Sequence, residues 1–315
     1  MTAPNDENKT PDGGGDAFVR EFARQAFLEQ RRARRWGIFF KFLLFGYLLV
    51  LLLMSAGGKW WHGSISARHT ALVEVKGIIS DETEASADHV VAGLRAAFED
   101  EKSVAVIIRI NSPGGSPVQA GYINDEIVRL RQANPKVPVY AVITDICASG
   151  GYYIAAAADK IFADKASLVG SIGVRMDGFG FVDAIGKLGV ERRLLTAGEH
   201  KGLLDPFLPV DPDEQEHVER MLEQIHQQFI NTVLRGRRER LAKNDAIYSG
   251  LIWTGEKAIE LGLVDELGSA SYVAREVVGA EEIVDFTVRE DYLAQIGRRL
   301  GTTLFESLIA PARLR

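Results

Sequence analysis

The sequence predicts an α/β protein, with repeated βα units around a mostly parallel sheet, behind an N-terminal transmembrane helix. Three observations point there. From Ala71 onward, short β-rich runs alternate with helical patterns, the signature of strands laid parallel by helical crossovers. Two strand-to-helix junctions, "INSPGGSP" at 110–117 and "CASGGYYIA" at 147–155, are built from serine and paired glycine. Residues 36–58 form a nearly pure apolar run whose one charge is Lys41.

Residues 1–16, "MTAPNDENKTPDGGGD", carry almost no apolar mass and cannot offset the entropy of ordering, so a disordered, basic tail is expected over 1–35. Arg31, Arg32, Arg34 and Arg35 stand directly before the apolar run. A run of about 20 apolar residues spans a bilayer as a helix. Trp36 at one end and Trp60 and Trp61 at the other suit the two interfaces, and Lys41 is close enough to a boundary to snorkel. The arginines place the N-terminus in the cytoplasm, so the chain beyond Lys59 lies across the membrane. Two other readings stay open: a signal peptide cut near "SAGG", and a buried core helix. A linker at 59–70 then leads into a catalytic-sized domain at 71–285, and 286–315, ending "LGTTLFESLIAPARLR", reads as a terminal helix and tail.

Within the domain, "ALVEVKGII" reads as a strand and "SADHVVAGLRAAFED" as a helix with Val90, Val91, Leu94 and Phe98 on one face. "SVAVIIRIN" is the clearest buried strand; the helix after it starts at Ser116 and Pro117. "VPVYAVIT" is the next strand, feeding the Ser-Gly-Gly turn and the small-residue helix "GYYIAAAA". "KIFAD" and "SLVGSIGV" read as strands, "VDAIGKLGV" as a short helix and "ERRLLT" as another strand. A long amphipathic helix runs from about Asp211 to Lys243, with Val218, Met221, Leu222, Ile225, Phe229 and Val233 on one side. Its basic end, Arg235, Arg237, Arg238, Arg240 and Lys243, could suggest a polyanion site but reads rather as a solvated face near a helix C-terminus.

Composition narrows the function. The chain has 315 residues, enough for a sizeable core, and a formal net charge of -6. A nucleic-acid binder needs a concentrated basic face, so none is expected as partner. Cys147 is the only cysteine, which excludes an intramolecular disulfide. No zinc or phosphate-loop pattern occurs, so neither metal nor cofactor is expected.

The chemistry sits at the glycine turns. Ligands of open α/β sheets collect at the carboxyl ends of the strands, so both junctions open on one side. A serine at such a turn presents its hydroxyl, and glycine N–H groups beside it suit a developing oxyanion. Ser149 is thus either a nucleophile or a simple helix cap with Gly150 and Gly151 packed tightly behind it. Of the six histidines only His200 falls in a loop-like stretch, and Lys201 follows it in "LLTAGEHKGLLDPFLP". A lysine can take a serine proton if apolar cover keeps its amine neutral. Cys147 ends an apolar strand, where a thiol behaves as a small buried hydrophobe.

Taken together, "INSPGGS" (110–116), "ASGGYYIAAAADKIFA" (148–163), "LVGSIGV" (168–174), "TAGEHK" (196–201) and "WTGEKAIELGLVDELG" (253–268) resemble the signal peptide peptidase A family in its short bacterial form. The resemblance implies a Clp-protease/crotonase-like fold and a membrane-bound serine endopeptidase with a Ser-Lys dyad. It makes Ser149 the nucleophile, Lys201 the general base, and the backbone N–H of Gly114 or Gly115, together with Gly150, the oxyanion donors. Ser171 is a candidate to orient the lysine amine. It further implies remnant signal peptides and similar apolar peptides as substrates, membrane lipid as a partner, and a homo-oligomeric ring at the bacterial inner membrane. The catalytic domain would then be periplasmic, with the dyad within one chain or shared between neighbours. Two other classes stay in view, a crotonase-like acyl-CoA enzyme and a non-catalytic scaffold ring on a membrane stalk.

Overall fold

The computed structural model describes Arg24, Arg31, residues 34–50 and residues 67–289. By its contacts the chain divides into two units, Met1–Ile65 and Ser66–Arg315. In the first, residues 34–50 form a helix (α1) with Trp36, Phe42 and Phe45 exposed. Among the described residues no helix is long and apolar enough to cross a membrane. The expected span continues to Gly58, and its residues 51–58 lie outside the described residues, as do residues 59–66 of the expected linker, most of the expected tail, and 290–315 of the expected C-terminal helix. Residues 286–289 are described and are not helical.

The second unit is a mixed α/β structure on one mostly parallel sheet. Its strands are β1 (His69–Lys76), β2 (Ser103–Ser112), β3 (Val139–Ala148), β4 (Lys160–Ala163), β5 (Leu168–Gly170), β6 (Ile252–Thr254), β7 (Glu266–Leu267) and β8 (Ile283–Asp285). The order is β6-β5-β3-β2-β1-β8, with β4 pairing β3 and β7. Only β5–β6 is antiparallel. β1 starts inside the expected linker, because His69 is buried with its Nε2 3.2 Å from Ser103 Oγ.

The crossovers are α2 (Ala87–Glu99), α3 (Pro117–Ala133) and α4 (Gly150–Ala155). Ser86 caps α2 by accepting from His89 N, and Ser116, followed by Pro117, caps α3 by accepting from Gln119 N. β2 shows why the sheet is covered on both faces. Val106, Ile108 and Ile110 pack with Val90, Leu94, Ile123 and Ile127, while Ile107 points the other way to Leu72, Val142, Phe162 and Val273. Alternate residues of a strand face opposite sides, so an unbroken apolar run needs cover on each.

Between β5 and the long helix the chain leaves this core. Residues 173–217 contain no buried side chain, although α5 (Val182–Lys187) forms as expected. The expected strand at "ERRLLT" does not form, and 191–196 pair with no other strand. This segment bonds to itself, through Phe181 N to Pro206 O and Arg192 to Asp205, and residues 191–196 make no ladder with a strand of the sheet. We call it the arm.

The helix α6 (Pro212–Arg237) buries Val218, Phe229 and Val233 and ends six residues before the expected Lys243, where Arg238 takes φ 50. The basic end is not a uniformly solvated face. Arg237 is fully buried, bonded to both carboxylate oxygens of Asp265 at 2.8 and 2.9 Å and to Gly262 O. Sequence proximity cannot show this, because the partner is 28 residues away.

Candidate active site

Ser149 stands between the end of β3 and the start of α4, with φ 53 and ψ −122. A non-glycine residue in that region costs about 1–3 kcal/mol. A capping serine has no need of it, since caps sit in the extended region, as Ser86 does at φ −66. Ser149 also makes no capping hydrogen bond, so its hydroxyl is presented rather than used in the turn. The capping account therefore fails. The strained turn is held by Ser149 N donating to Gly170 O at 2.8 Å.

Ser171 lies alongside. Ala148 and Gly170 are paired in the parallel β3–β5 ladder, so the residues after them leave neighbouring strands together. Ser171 too has a positive φ, 52, and its N–H donates to Leu251 O. Gly170 cannot be replaced easily, since a Cβ there would lie 3.1 Å from Trp253 Cδ1 and 3.0 Å from Leu251 O.

The glycine turn after β2 packs onto the same serine. A Cβ on Gly114 would lie 2.7 Å from Ser149 Cβ, and one on Gly115 would lie 2.1 Å from Ile79 O. Both glycines have positive φ, 103 and 150. The two expected donors are not equivalent. Gly114 is buried and its N–H is taken by Ser112 Oγ at 3.1 Å, whereas Gly115 is exposed. Gly150 opens α4, where the first N–H groups have no intrahelical acceptor. Among the described residues neither Gly115 N–H nor Gly150 N–H has an acceptor. These two, and not Gly114, are free to hold an oxyanion beside Ser149. The Ser112 contact was not foreseen, although Ser112 belongs to the "INSPGGSP" turn already singled out.

Lys201 lies in the arm and is exposed. Its N–H donates to Gly198 O, and among the described residues its amine makes no ion pair or hydrogen bond, to Ser149, Ser171 or any other group. The structure thus brings Gly114, Gly115, Ser149, Gly150 and Ser171 together and leaves Lys201 apart from their bonding. His200 is occupied by Glu214, whose carboxylate raises the affinity of the imidazole for its proton. Cys147 is fully buried, and burial pushes its thiol up, which removes it as a nucleophile. A groove of about 930 Å³, lined by Arg131, Pro138, Asp159 and Gly236, opens at the amino ends of β3 and β4, the far side from Ser149.

Residues 131–283, which contain Ser149, Ser171 and Lys201, match Peptidase family S49. A putative protease of Synechocystis is 33% identical over 210 residues, 67% of this chain and 73% of that protein. The chain belongs to peptidase family S49. A further relative of this S49 chain is the putative signal peptide peptidase SppA of Enterococcus faecium, 28% identical over 226 residues, 69% of this chain and 65% of that protein. The chain also matches a protein of Brucella abortus named as a Na(+)/H(+) antiporter, with 40% identity over 222 residues. That match covers 70% of this chain, and the chain spans 30% of the antiporter's length.

Proposed function

We propose that this chain is a membrane-anchored serine endopeptidase of the crotonase-like kind, in which Ser149 attacks the peptide carbonyl and the Lys201 amine is the general base. The observation that carries the reading is Ser149 itself, strained at φ 53, uncapped, and flanked by the acceptor-free N–H groups of Gly115 and Gly150. Family S49 membership supports the reaction class. The serine proton passes to the neutral amine as Oγ bonds to the carbonyl carbon, and the carbonyl oxygen becomes an oxyanion between the two N–H groups. Collapse breaks the C–N bond, and the leaving amine takes the proton from the lysine. Water, deprotonated by the same lysine, then attacks the acyl carbon; the bond to Ser149 Oγ breaks, Oγ takes the proton back from the lysine, and the acid product leaves.

An exposed amine is a poor base, so the site needs a desolvating cover at Lys201. The arm supplies the motive for one. Phe179 is 81% exposed, Leu188 78% and Leu195 96%, apolar surface that a second copy or a lipid surface would bury. A homo-oligomeric ring in which one copy's Lys201 reaches its neighbour's Ser149 satisfies both needs. In this reading Ser171, which leaves β5 beside Ser149, accepts from that amine. The apolar run at 36–58 behind four arginines supports a single-pass anchor in the bacterial inner membrane with a periplasmic catalytic domain. Such an anchor and apolar arms suit remnant signal peptides and similar apolar peptides as substrates.

Treatment of the full chain in detergent with a fluorophosphonate is expected to modify one residue, Ser149, as read by peptide mass spectrometry; an unmodified Ser149 under conditions of peptide cleavage rejects the reading. Gly115→Ala, which must push against Ile79 O, is expected to lower kcat by about 10²–10³-fold, the usual effect of losing one oxyanion donor. Unchanged turnover in that variant would assign the donor elsewhere.

A further inference from the structure

The geometry points to Ser112 as the positioning residue that sets the oxyanion donor, an inference that rests on Ser149 being the nucleophile. Ser112 ends β2 and is fully buried. Its hydroxyl donates to Gly77 O at 2.6 Å and accepts from Gly114 N at 3.1 Å. One small side chain thereby ties the loop after β1 to the glycine turn after β2.

The effect on the donor follows from peptide planarity. Gly114 is gripped at both ends, its N–H by Ser112 Oγ and its carbonyl by Ile79 N at 2.9 Å. The carbonyl of Gly114 and the N–H of Gly115 belong to one trans peptide and point in opposite directions. With the carbonyl held on Ile79, the Gly115 N–H must face away from it. Ser116 N, bonded to Ile79 O at 2.8 Å, fixes the far side of the same turn.

Of these clamps only the Ser112 one is a side chain. Both glycines occupy positive φ, so nothing intrinsic to their backbones favours this arrangement over others open to glycine. Without the hydroxyl, the buried Gly114 N–H loses its acceptor and the turn is released at that end. Removing it would cost little in ground-state binding, because Ser112 is buried behind the turn. It would cost transition-state stabilisation, because the Gly115 N–H would no longer be fixed where the oxyanion forms.

The test compares the full-length wild-type chain with Ser112→Ala, each normalised by fluorophosphonate titration of Ser149. On a fluorogenic apolar peptide, kcat is expected to fall about 10- to 100-fold, with KM changed by less than about threefold. Affinity for a peptide aldehyde, which forms a tetrahedral adduct, is expected to fall in step with kcat. A purely structural role would lower the titratable fraction and leave kcat per titrated site unchanged. Ser112→Cys fills nearly the same space with a weaker acceptor, and is expected to lose kcat about tenfold should the alanine variant fail to fold. If wild type is modified at Ser149 while every folded Ser112 variant keeps kcat within about twofold, this inference is overturned and the nucleophile stands. If wild type cleaves peptides with Ser149 unmodified, the nucleophile assignment falls first and takes this inference with it.

Discussion

Chains carrying Ser149→Ala and chains carrying Lys201→Ala are each expected to lose roughly 10⁴- to 10⁶-fold in peptide cleavage, and mixing the two is expected to restore activity. Each variant keeps the group that the other lacks. In a closed ring built at random from equal amounts, a working site needs an intact serine on one copy and an intact lysine on the next, which gives about a quarter of the wild-type rate. A dyad confined to one chain gives none, because no copy then holds both groups. The structure motivates the shared arrangement: the Lys201 amine is exposed and unbonded among the described residues, on an arm with no buried side chain. Co-expression of two differently tagged chains, tandem purification and a rate per chain make the measurement. Full activity of Lys201→Ala alone would remove the lysine from the mechanism, and a silent mixed ring would place both groups in one chain.

Legibility divides along the boundary between core and arm. β2 and β3 could be read from runs such as "SVAVIIRIN" because both faces of each strand are buried, so composition alone carries the signal. The start of α3 was legible for the same local reason, a serine followed by proline at a helix entrance. The turn at Ser149 was legible as a place but ambiguous as a device. Cap and nucleophile share the sequence Ser-Gly-Gly, and the backbone angle at Ser149 speaks against the cap. "ERRLLT" misled because strand formation is non-local, and apolar content predicts a strand only where an edge is present to pair with. The mild asymmetry between Gly114 and Gly115 could not be read at all, since it depends on where the Ser112 hydroxyl turns.

The basic end of α6 shows the same limit with a larger energetic consequence. Asp265→Ala is expected to destabilise the domain by about 3–5 kcal/mol, because it leaves the Arg237 guanidinium buried without its counter-charge. For a domain of this size that corresponds to a fall in thermal midpoint of roughly 6–20 °C. Arg237→Met is expected to cost less, since Asp265 keeps Arg240 and the Ile161 N–H, which donates to it at 2.7 Å. Equal losses in the two variants would contradict this account. Burial pushes the Asp265 carboxyl up, but hydrogen bonding and charge from Arg237 outweigh it and hold the group below the ordinary carboxylate range. Its contribution is therefore complete above the unfolded-state value of about 3.9 and is lost as pH falls through the lower folded-state value, so the gap between wild type and Asp265→Ala closes in strong acid. A gap that persisted there would mean packing, not charge, holds the knot. The knot also bears on the site: Arg237 grips Gly262 O, and the next residue, Leu263, accepts from the buried hydroxyl of Tyr152 at 2.8 Å. Tyr152 lies on α4 three residues after Ser149, so the helix that follows Ser149 is braced through Leu263 and Gly262 by a charge pair set at the end of α6.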